Sequence, residues 1–413
     1  MENVQFGSAL LGMNNVSQET ALPGGAMRDI LNFDVTSEGH LTSRAGARRL
    51  STAQSLHSLW SPRSHNFGLY AQGSDLRKLV TQGVSMQATT ILQNLAISER
   101  VKFYEYADEV FFTNGTDLGV VTDGGARRIG LLEPVNAPTA SEYVGSLPAG
   151  RYGVAYSYIS TTGEESALSL AVFIEATGGI AVDLPNLYPE NIASVRIYAT
   201  LTNGDLLYMA QDVPVGTLVA RVQDDQRSKL ATTQFMSRMT GGDDISVSNG
   251  VLFVSNGKTL RFSEPFNYGL TDKKTGFVSF GSNILFHEPV SDGLYVGTED
   301  GVYFLSGSSP KDFTQRLVGS APVVSDSICV PASLVSVDPA PADSLVAVWL
   351  GVNGFVLGYS GGQVANVQTS NMTLGQHGLG TLVNVTANGV KKVISLVEVA
   401  TTKSHESASD SFI

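Results

Sequence analysis

Along this chain, short apolar runs rich in β-branched and aromatic residues alternate with polar clusters that end in glycine, a pattern that predicts strands joined by tight turns. One hairpin recurs: a strand, a polar turn closing on Gly, and a second strand. It reads Phe67-Gly-Leu-Tyr-Ala-Gln-Gly73 before Leu76-Arg-Lys-Leu-Val80, and Val110-Phe-Phe-Thr-Asn-Gly115 before Leu118-Gly-Val-Val121. It returns as Val251-Leu-Phe-Val-Ser-Asn-Gly257 before Thr259-Leu-Arg-Phe262, as Leu294-Tyr-Val-Gly-Thr-Glu-Asp-Gly301 before Val302-Tyr-Phe-Leu305, and as Val346-Ala-Val-Trp-Leu-Gly-Val-Asn-Gly354 before Phe355-Val-Leu357. Asn-Gly and Asp-Gly suit such turns because a two-residue hairpin loop needs positive φ, which Gly and Asn accept at low steric cost.

The turn glycines Gly73 and Gly115 are roughly 40 residues apart, as are Gly257 and Gly301, close to the ~40–50 residues of a four-stranded propeller blade. Weaker copies stand near both ends, around Gly39 and Gly389, so that first and last strands could share a blade and hide their edges. Helix is scarce. Ile91 to Tyr106 is the one window that reads as helical, and it gives way to strand-like Glu109 to Thr113.

Between Gly115 and Gly257 no matching hairpin occurs, and composition changes after Leu131-Leu-Glu-Pro134-Val-Asn-Ala-Pro138. From Leu147-Pro-Ala-Gly-Arg-Tyr152 onward, Tyr152, Val154, Tyr156 and Tyr158 alternate with Gly153, Ala155, Ser157 and Ile159, predicting a half-buried strand. A turn at Thr161–Ser166, strands around Leu170 to Glu175 and Val195 to Thr200, and a hairpin at Thr202-Asn-Gly204 follow. Strands at this spacing predict a β-sandwich of the immunoglobulin or fibronectin type III kind. The expected fold is therefore all-β: a β-propeller-like domain of four-stranded blades in residues 1–133 and 227–403, with an inserted fibronectin III-like β-sandwich in residues 134–226. Residues 404–413, rich in Ser and acidic side chains, read as a flexible tail.

Composition narrows the function. Apolar runs stop well short of the ~20 residues a membrane span needs, so no membrane insertion is expected. Met1-Glu-Asn-Val-Gln5 lacks a basic start and an apolar leader, which predicts folding in a cytoplasm. The single cysteine, Cys329, has no internal disulfide partner, and the Asn-x-Ser/Thr matches at Asn15, Asn114, Asn371 and Asn384 carry little meaning as glycosylation sites. With 26 basic against 38 acidic residues the net charge of −12 opposes a sequence-independent grip on phosphate backbones. The same acidity would let DNA slide past without sticking, and it also keeps a protein soluble.

Three stretches resemble a known family. Gly24-Gly-Ala-Met-Arg-Asp-Ile-Leu-Asn-Phe-Asp-Val-Thr-Ser-Glu-Gly39-His-Leu-Thr-Ser-Arg44-Ala-Gly46-Ala-Arg-Arg-Leu50 looks like the amino-terminal signature of phage virion proteins. Arg261-Phe-Ser-Glu-Pro-Phe266, with Val290 to Gly307, is similar to their central propeller, and the insert's Leu147–Tyr152 entry and Gly163-Glu-Glu-Ser166 turn make a third match. Together they resemble bacteriophage tail nozzle proteins (tail tubular protein B-like) and packaged-DNA stabilisation proteins. The resemblance implies a homohexameric ring in the virion tail, attached to the portal and adaptor, through which DNA leaves without specific binding. The present chain is short for a nozzle.

Chemistry is sparse in the sequence. Gly358-Tyr-Ser360-Gly-Gly362 fits a nucleophile-elbow pattern, yet Phe355 to Leu357 is followed by the extended Val364 to Val367 where that motif needs a helix. The histidines at 40, 57, 65, 287, 377 and 405 have no zinc-site spacing, and no phosphate-cradling glycine pattern follows a strand, so neither a metal nor a cofactor is expected. A propeller glycosidase needs paired carboxylates. Asp108, Glu109, Asp243, Asp244, Asp292, Glu299 and Asp300 all sit in or beside turns, and nothing local singles out a pair. No catalytic, cofactor-binding or metal residue is assigned. The expectation is a structural tail component that is not an enzyme, with a receptor-binding tail protein or a glycosidase acting on surface polysaccharide as the alternatives.

Overall fold

The computed structural model describes residues 12–28, 33–35, 41–43, 52–82, 85–96, 100–307, 309–335, 344–367, 371–374, 378, 380–387 and 390–397. Their regular structure is β-strand, with short 3-10 turns only, and the chain is all-β. Among the described residues no helix is long and apolar enough to cross a membrane. The chain divides into two compact units, Gln54–Ser279, and Met1–Ala53 with Phe280–Ile413.

Within Gln54–Ser279, sheet A is built from Leu56–Trp60, Phe67–Gln72, Asp75–Gln82 and Ser85–Leu92. Sheet B is built from Lys102–Tyr106, Glu109–Thr113, Leu118–Thr122 and Gly125–Arg128, and sheet C from Asp244–Ser248, Val251–Asn256, Thr259–Phe262 and Phe277–Ser279. The other unit holds sheet D, formed by Ile284–Val290, Gly293–Thr298, Gly301–Ser306 and Thr314–Gly319, and sheet E, formed by Pro322–Pro331, Leu345–Gly351, Gly354–Gly358 and Val364–Asn366. Each is a four-stranded antiparallel meander, and each recurring hairpin is its middle pair. Two further hairpins, Phe33–Val35 with Leu41–Ser43 and Gly380–Ala387 with Val390–Val397, belong to the second unit; the turn glycines Gly39 and Gly389 lie outside the described residues.

Four of the turn glycines, at 73, 115, 257 and 354, have positive φ. Gly301 does not: Glu299-Asp300 makes that turn, and a Cβ on Gly301 would stand 2.7 Å from Leu317 Cδ1 and 2.9 Å from the Gly319 carbonyl. Glycine has a second use inside the strands. Gly119 pairs with Phe112, Gly297 with Phe286 and Gly153 with Phe173, and in each pair the ring lies over the glycine where a Cβ would be.

Strict alternation gives the central sheets two apolar faces. Val110, Phe112 and Val121 of sheet B pack with Leu69, Ala71 and Leu76 of sheet A, whereas Phe111, Leu118 and Val120 pack with Ile245, Val247, Leu252 and Val254 of sheet C. In sheet E, Ala347 and Trp349 meet Phe286, Tyr295 and Phe304 of sheet D, while Val346, Val348 and Leu350 meet Leu382 and Val393 of the carboxy-terminal hairpin. Each fully buried large side chain contributes about 1.5–3 kcal/mol. The first strands of neighbouring sheets also lie against one another: Lys102–Tyr106 against Asp244–Ser248, Ile284–Val290 against Pro322–Pro331, and Pro322–Pro331 against Gly380–Ala387.

The helix-like window departs from expectation. Strand continues to Leu92 and resumes at Lys102, and Leu95, Val101 and Phe103 fill the space between sheets A and B. Their apolar spacing serves an inter-sheet core, which a helix could not fill while keeping the ladder from Leu76 to Leu92 and from Tyr106 to Glu109.

Between sheets B and C stand Thr139–Ser160, Val172–Asp183, Ile192–Thr200, Leu207–Pro214 and Val219–Val222. They form one continuous five-stranded antiparallel sheet, whereas the sequence predicts two separate sheets. The 22-residue first strand is irregular between Tyr143 and Gly150, and such bulges bend a strand without ending its ladder. At the bend a Cβ on Gly145 would overlap the Gly178 carbonyl. A single core then draws Ile180, Val182, Ala220 and Val222 from one side of the bend and Tyr152, Val154, Tyr156, Val195 and Ile197 from the other. The strand expected to be half-buried is covered on both faces, since Ala155 packs with Leu168, Tyr198 and Leu207 opposite that core.

Candidate functional site

The serine of the elbow-like motif lies in a three-residue 3-10 turn, Ser360–Gly362, between Gly354–Gly358 and Val364–Asn366 of sheet E. Asp292 accepts the Gly361 N–H through both oxygens, at 2.8 and 3.1 Å. Arg316 Nη2 donates to the Gly361 carbonyl at 2.5 Å, and the Tyr295 hydroxyl donates to the carbonyls of Tyr359 and Gln363 at 2.5 and 2.8 Å. The backbone N–H that follows the nucleophile, a donor that acyl transfer at an elbow aims at the oxyanion, is thus committed to a carboxylate. Burial pushes the Tyr295 hydroxyl well above its usual range, with Asp292 adding to the shift, so it stays a donor.

The other carboxylates are spread over different turns and seams. Asp243 Oδ2 accepts the Gly257 N–H at 3.0 Å, and Glu299 accepts from Asn283 Nδ2 at 3.0 Å. Asp300 N donates to Thr298 Oγ1 at 3.4 Å. Asp108 has positive φ in the turn from which Glu109 opens a strand. Asp244, nearly buried, lies 3.8 Å from Lys102 Nζ.

Of the histidines, His57 Nδ1 is 2.9 Å from Ser58 Oγ, His65 stacks on Phe67 with its Nε2 3.2 Å from the Asp108 carbonyl, and His287 is buried in sheet D. His40, His377 and His405 lie outside the described residues. Among the described residues no three His, Cys, Asp or Glu side chains are grouped to hold a metal ion. Cys329 is buried, and its Sγ donates to the Pro289 carbonyl at 3.4 Å.

What the fold does bring together is a series of polar seams between first strands. Lys102 and Asp244 join sheets B and C. Ser327 Oγ donates to Glu288 Oε2 at 3.0 Å between sheets E and D, and Asp326 Oδ2 accepts from Thr381 Oγ1 and Leu382 N, both at 2.8 Å, between sheet E and the carboxy-terminal hairpin. Glu288 and Asp326 are both buried, so these bonds form away from water, where they are strongest.

The bent sheet has its own network. Arg196 Nε and Nη2 donate to the two oxygens of Asp212 at 2.8 and 2.9 Å, and its Nη1 reaches Glu165 Oε2 at 3.0 Å. Glu165 Oε1 also accepts from Ser157 Oγ at 2.7 Å and Tyr198 OH at 2.6 Å. Asp212 holds the Arg196 guanidinium charged, outweighing burial, with Glu165 assisting. Burial, then the bond to Glu165, push the Tyr198 hydroxyl up. Arg196, Tyr198 and Asp212 escape sequence reasoning because Arg196 meets Asp212 only through strand register.

Of the family-like motifs, Arg261–Phe266 is structural in its middle. Phe262 and Ser263 are buried, and Ser263 Oγ accepts the Leu252 N–H at 3.0 Å. Arg261 lines a depression with Thr240, Gly241, Val254, Asn256 and Thr259. The amino-terminal signature falls only in part within the described residues.

No family model matches the chain, and no curated protein matches it. Among solved structures it is similar to the Pan2 WD40 domain of Neurospora crassa, 12% identical over 76% of this chain and 79% of that one, with a TM-score of 0.33. It is similar to a protein from Lactobacillus plantarum, 10% identical over 83% and 91% of the two chains, with a TM-score of 0.34. Sqt1 of Saccharomyces cerevisiae is 12% identical over 72% and 81%, with a TM-score of 0.27. Likeness at this level says nothing about what the chain does.

Proposed function

We propose that this chain is a structural, non-enzymatic part of a bacteriophage tail: one subunit of a nozzle ring that lines the DNA exit channel and attaches to the portal and adaptor. The observation that carries the reading is the use made of the polar groups. Glu288, Asp326 and Asp244 stitch first strands together, and Asp292 is committed to the Gly361 turn beside Ser360. Such an arrangement favours a rigid part over a reaction centre.

In this reading the four-stranded sheets are propeller blades whose first strands face the axis, and the hairpins at 33–43 and 380–397 complete a last blade between them. The bent sheet is a fibronectin III or immunoglobulin-like sandwich in which bulges carry strands around the corner. It supplies contacts to neighbouring copies, in keeping with its exposed Val144, Leu170, Leu187 and Leu206. Six copies, assembly in a bacterial cytoplasm and passage of DNA without specific binding follow from the family resemblance, and the net charge of −12 suits a wall that repels DNA.

Electron microscopy of the purified protein at high concentration tests the assembly. Closed rings are expected. A strictly monomeric protein that binds bacterial envelope would replace the ring with a receptor-binding role, and hydrolysis of surface polysaccharide that disappears on a carboxylate-to-amide change would replace it with a glycosidase.

A further inference from the structure

Glu164 lies in the turn that follows the long strand Thr139–Ser160 of the bent sheet. The turn is tied down locally: Glu164 N donates to Ser160 Oγ at 2.9 Å, and Ser160 N donates to the Glu164 carbonyl at 2.8 Å. Its side chain leaves the bent sheet altogether. Oε1 accepts the N–H of Gly130, just past the last strand of sheet B, at 2.7 Å, and Oε2 lies 3.5 Å from Nη1 of Arg127 within that strand.

The surroundings are shaped to admit this carboxylate. A Cβ on Gly269 would overlap Glu164 Oε1, and a Cβ on Gly130, whose φ is +84°, would stand 2.9 Å from the Met239 carbonyl. Met239 N in turn donates to the Gly269 carbonyl at 2.8 Å, so the backbones at 130, 239 and 269 form one close-packed seat. The next residue faces the other way, since Glu165 is held inside the bent sheet by Arg196, Tyr198 and Ser157. Two adjacent carboxylates of one turn therefore grip the insert and the body of the unit. The returning chain is itself paired onto the insert, since Met209 N donates to the Lys229 carbonyl and Ala231 N to the Leu207 carbonyl, both at 2.8 Å; beyond it the backbone tie is longer, with Leu168 N donating to the Thr233 carbonyl at 3.3 Å.

We propose that Glu164 is the lock that fixes the orientation of the inserted sheet on the Gly130–Met239–Gly269 seat, so that its loss frees the insert to swing about its two connections, residues 131–138 and 232–235, while both parts stay folded. The inference concerns one chain and holds whether or not copies assemble into a ring. It also turns the Gly163-Glu-Glu-Ser166 stretch from a turn motif into a joint.

The test uses the full chain with Cys329→Ser and spin labels at Asp123→Cys, in the turn between the last two strands of sheet B, and Asp205→Cys in the insert, both exposed positions. Distances are measured by pulsed electron resonance with and without Glu164→Ala, and amide exchange is read at Gly130. The expected result is a single narrow distance that broadens about twofold or more in E164A, with exchange at Gly130 faster by about tenfold or more and exchange at Gly115, whose N–H donates to the Gly242 carbonyl at 2.8 Å, unchanged. E164Q keeps an acceptor for Gly130 and is expected to stay narrow; Glu164→Asp, a methylene too short, repeats the test should E164A fold poorly. An unchanged distance distribution and unchanged Gly130 exchange in E164A or E164D overturn the proposal.

Discussion

Asp292 and Gly361 are joined by a carboxylate that accepts one backbone N–H through both oxygens, and this bond decides how Ser360 is to be read. Holding the loop is the work of Asp292, and Ser360 is a passenger in it. Ser360→Ala is expected to shift stability by less than about 0.5 kcal/mol, while Asp292→Ala costs about 1 kcal/mol because the site is exposed. Urea unfolding of the two variants measures the difference. Equal effects, or an activated-ester hydrolysis abolished by S360A, would show that the serine matters.

The seam between sheet E and the carboxy-terminal hairpin rests on a buried carboxylate. Asp326→Ala leaves the buried Leu382 N–H without that acceptor, and the expected loss is about 2–3 kcal/mol in denaturant unfolding. Thr381→Val, which removes one donor and leaves the Leu382 bond, is expected to cost about 1 kcal/mol. A neutral Asp326→Ala would mean that the seam is held by apolar packing alone.

Glycine beneath an aromatic ring makes a sharper prediction than glycine in a turn. At Gly297 an added methyl meets the Phe286 ring directly, so Gly297→Ala is expected to destabilise by about 1–3 kcal/mol. Pairing it with Phe286→Leu, which vacates the position, is expected to recover part of that cost in a double-mutant cycle.

Glu105 sets a pH dependence. Burial works to raise its pKa, but hydrogen bonds from the Ser64 hydroxyl and from the backbone N–H groups of Arg63 and Ser64, with His65 nearby, outweigh it and hold the carboxyl below its ordinary value. A depressed folded-state pKa contributes stability that is complete above the unfolded value of roughly 4.3 and is lost as pH falls through the folded one. Thermal unfolding of the wild type is expected to decline across that acid window more steeply than that of Glu105→Gln. Parallel curves would remove Glu105 from the account.

The recurring hairpins were legible because a glycine with positive φ states a backbone requirement locally, as at 73, 115, 257 and 354 though not at Gly301, and every one of the five is the middle of a four-stranded sheet. Other features depend on partners distant in sequence. The window Ile91 to Tyr106 reads as helical, yet its Leu95, Val101 and Phe103 answer to an inter-sheet core. The strand from Tyr152 reads as half-buried because Gly153, Ala155 and Ser157 are small, and small residues leave no sign of the Tyr198 and Leu207 that cover that face. Glu164 and Glu165 are adjacent and chemically identical; only the fold sends one to Gly130 and the other to Arg196.

Electron cryomicroscopy of the virion tests the central claim most directly. The expected density is a closed ring of this chain beneath the portal and adaptor, around an open axial channel, with the bent sheet at subunit contacts. Density that places it as single copies on the tail surface, bound to envelope polysaccharide, would contradict it.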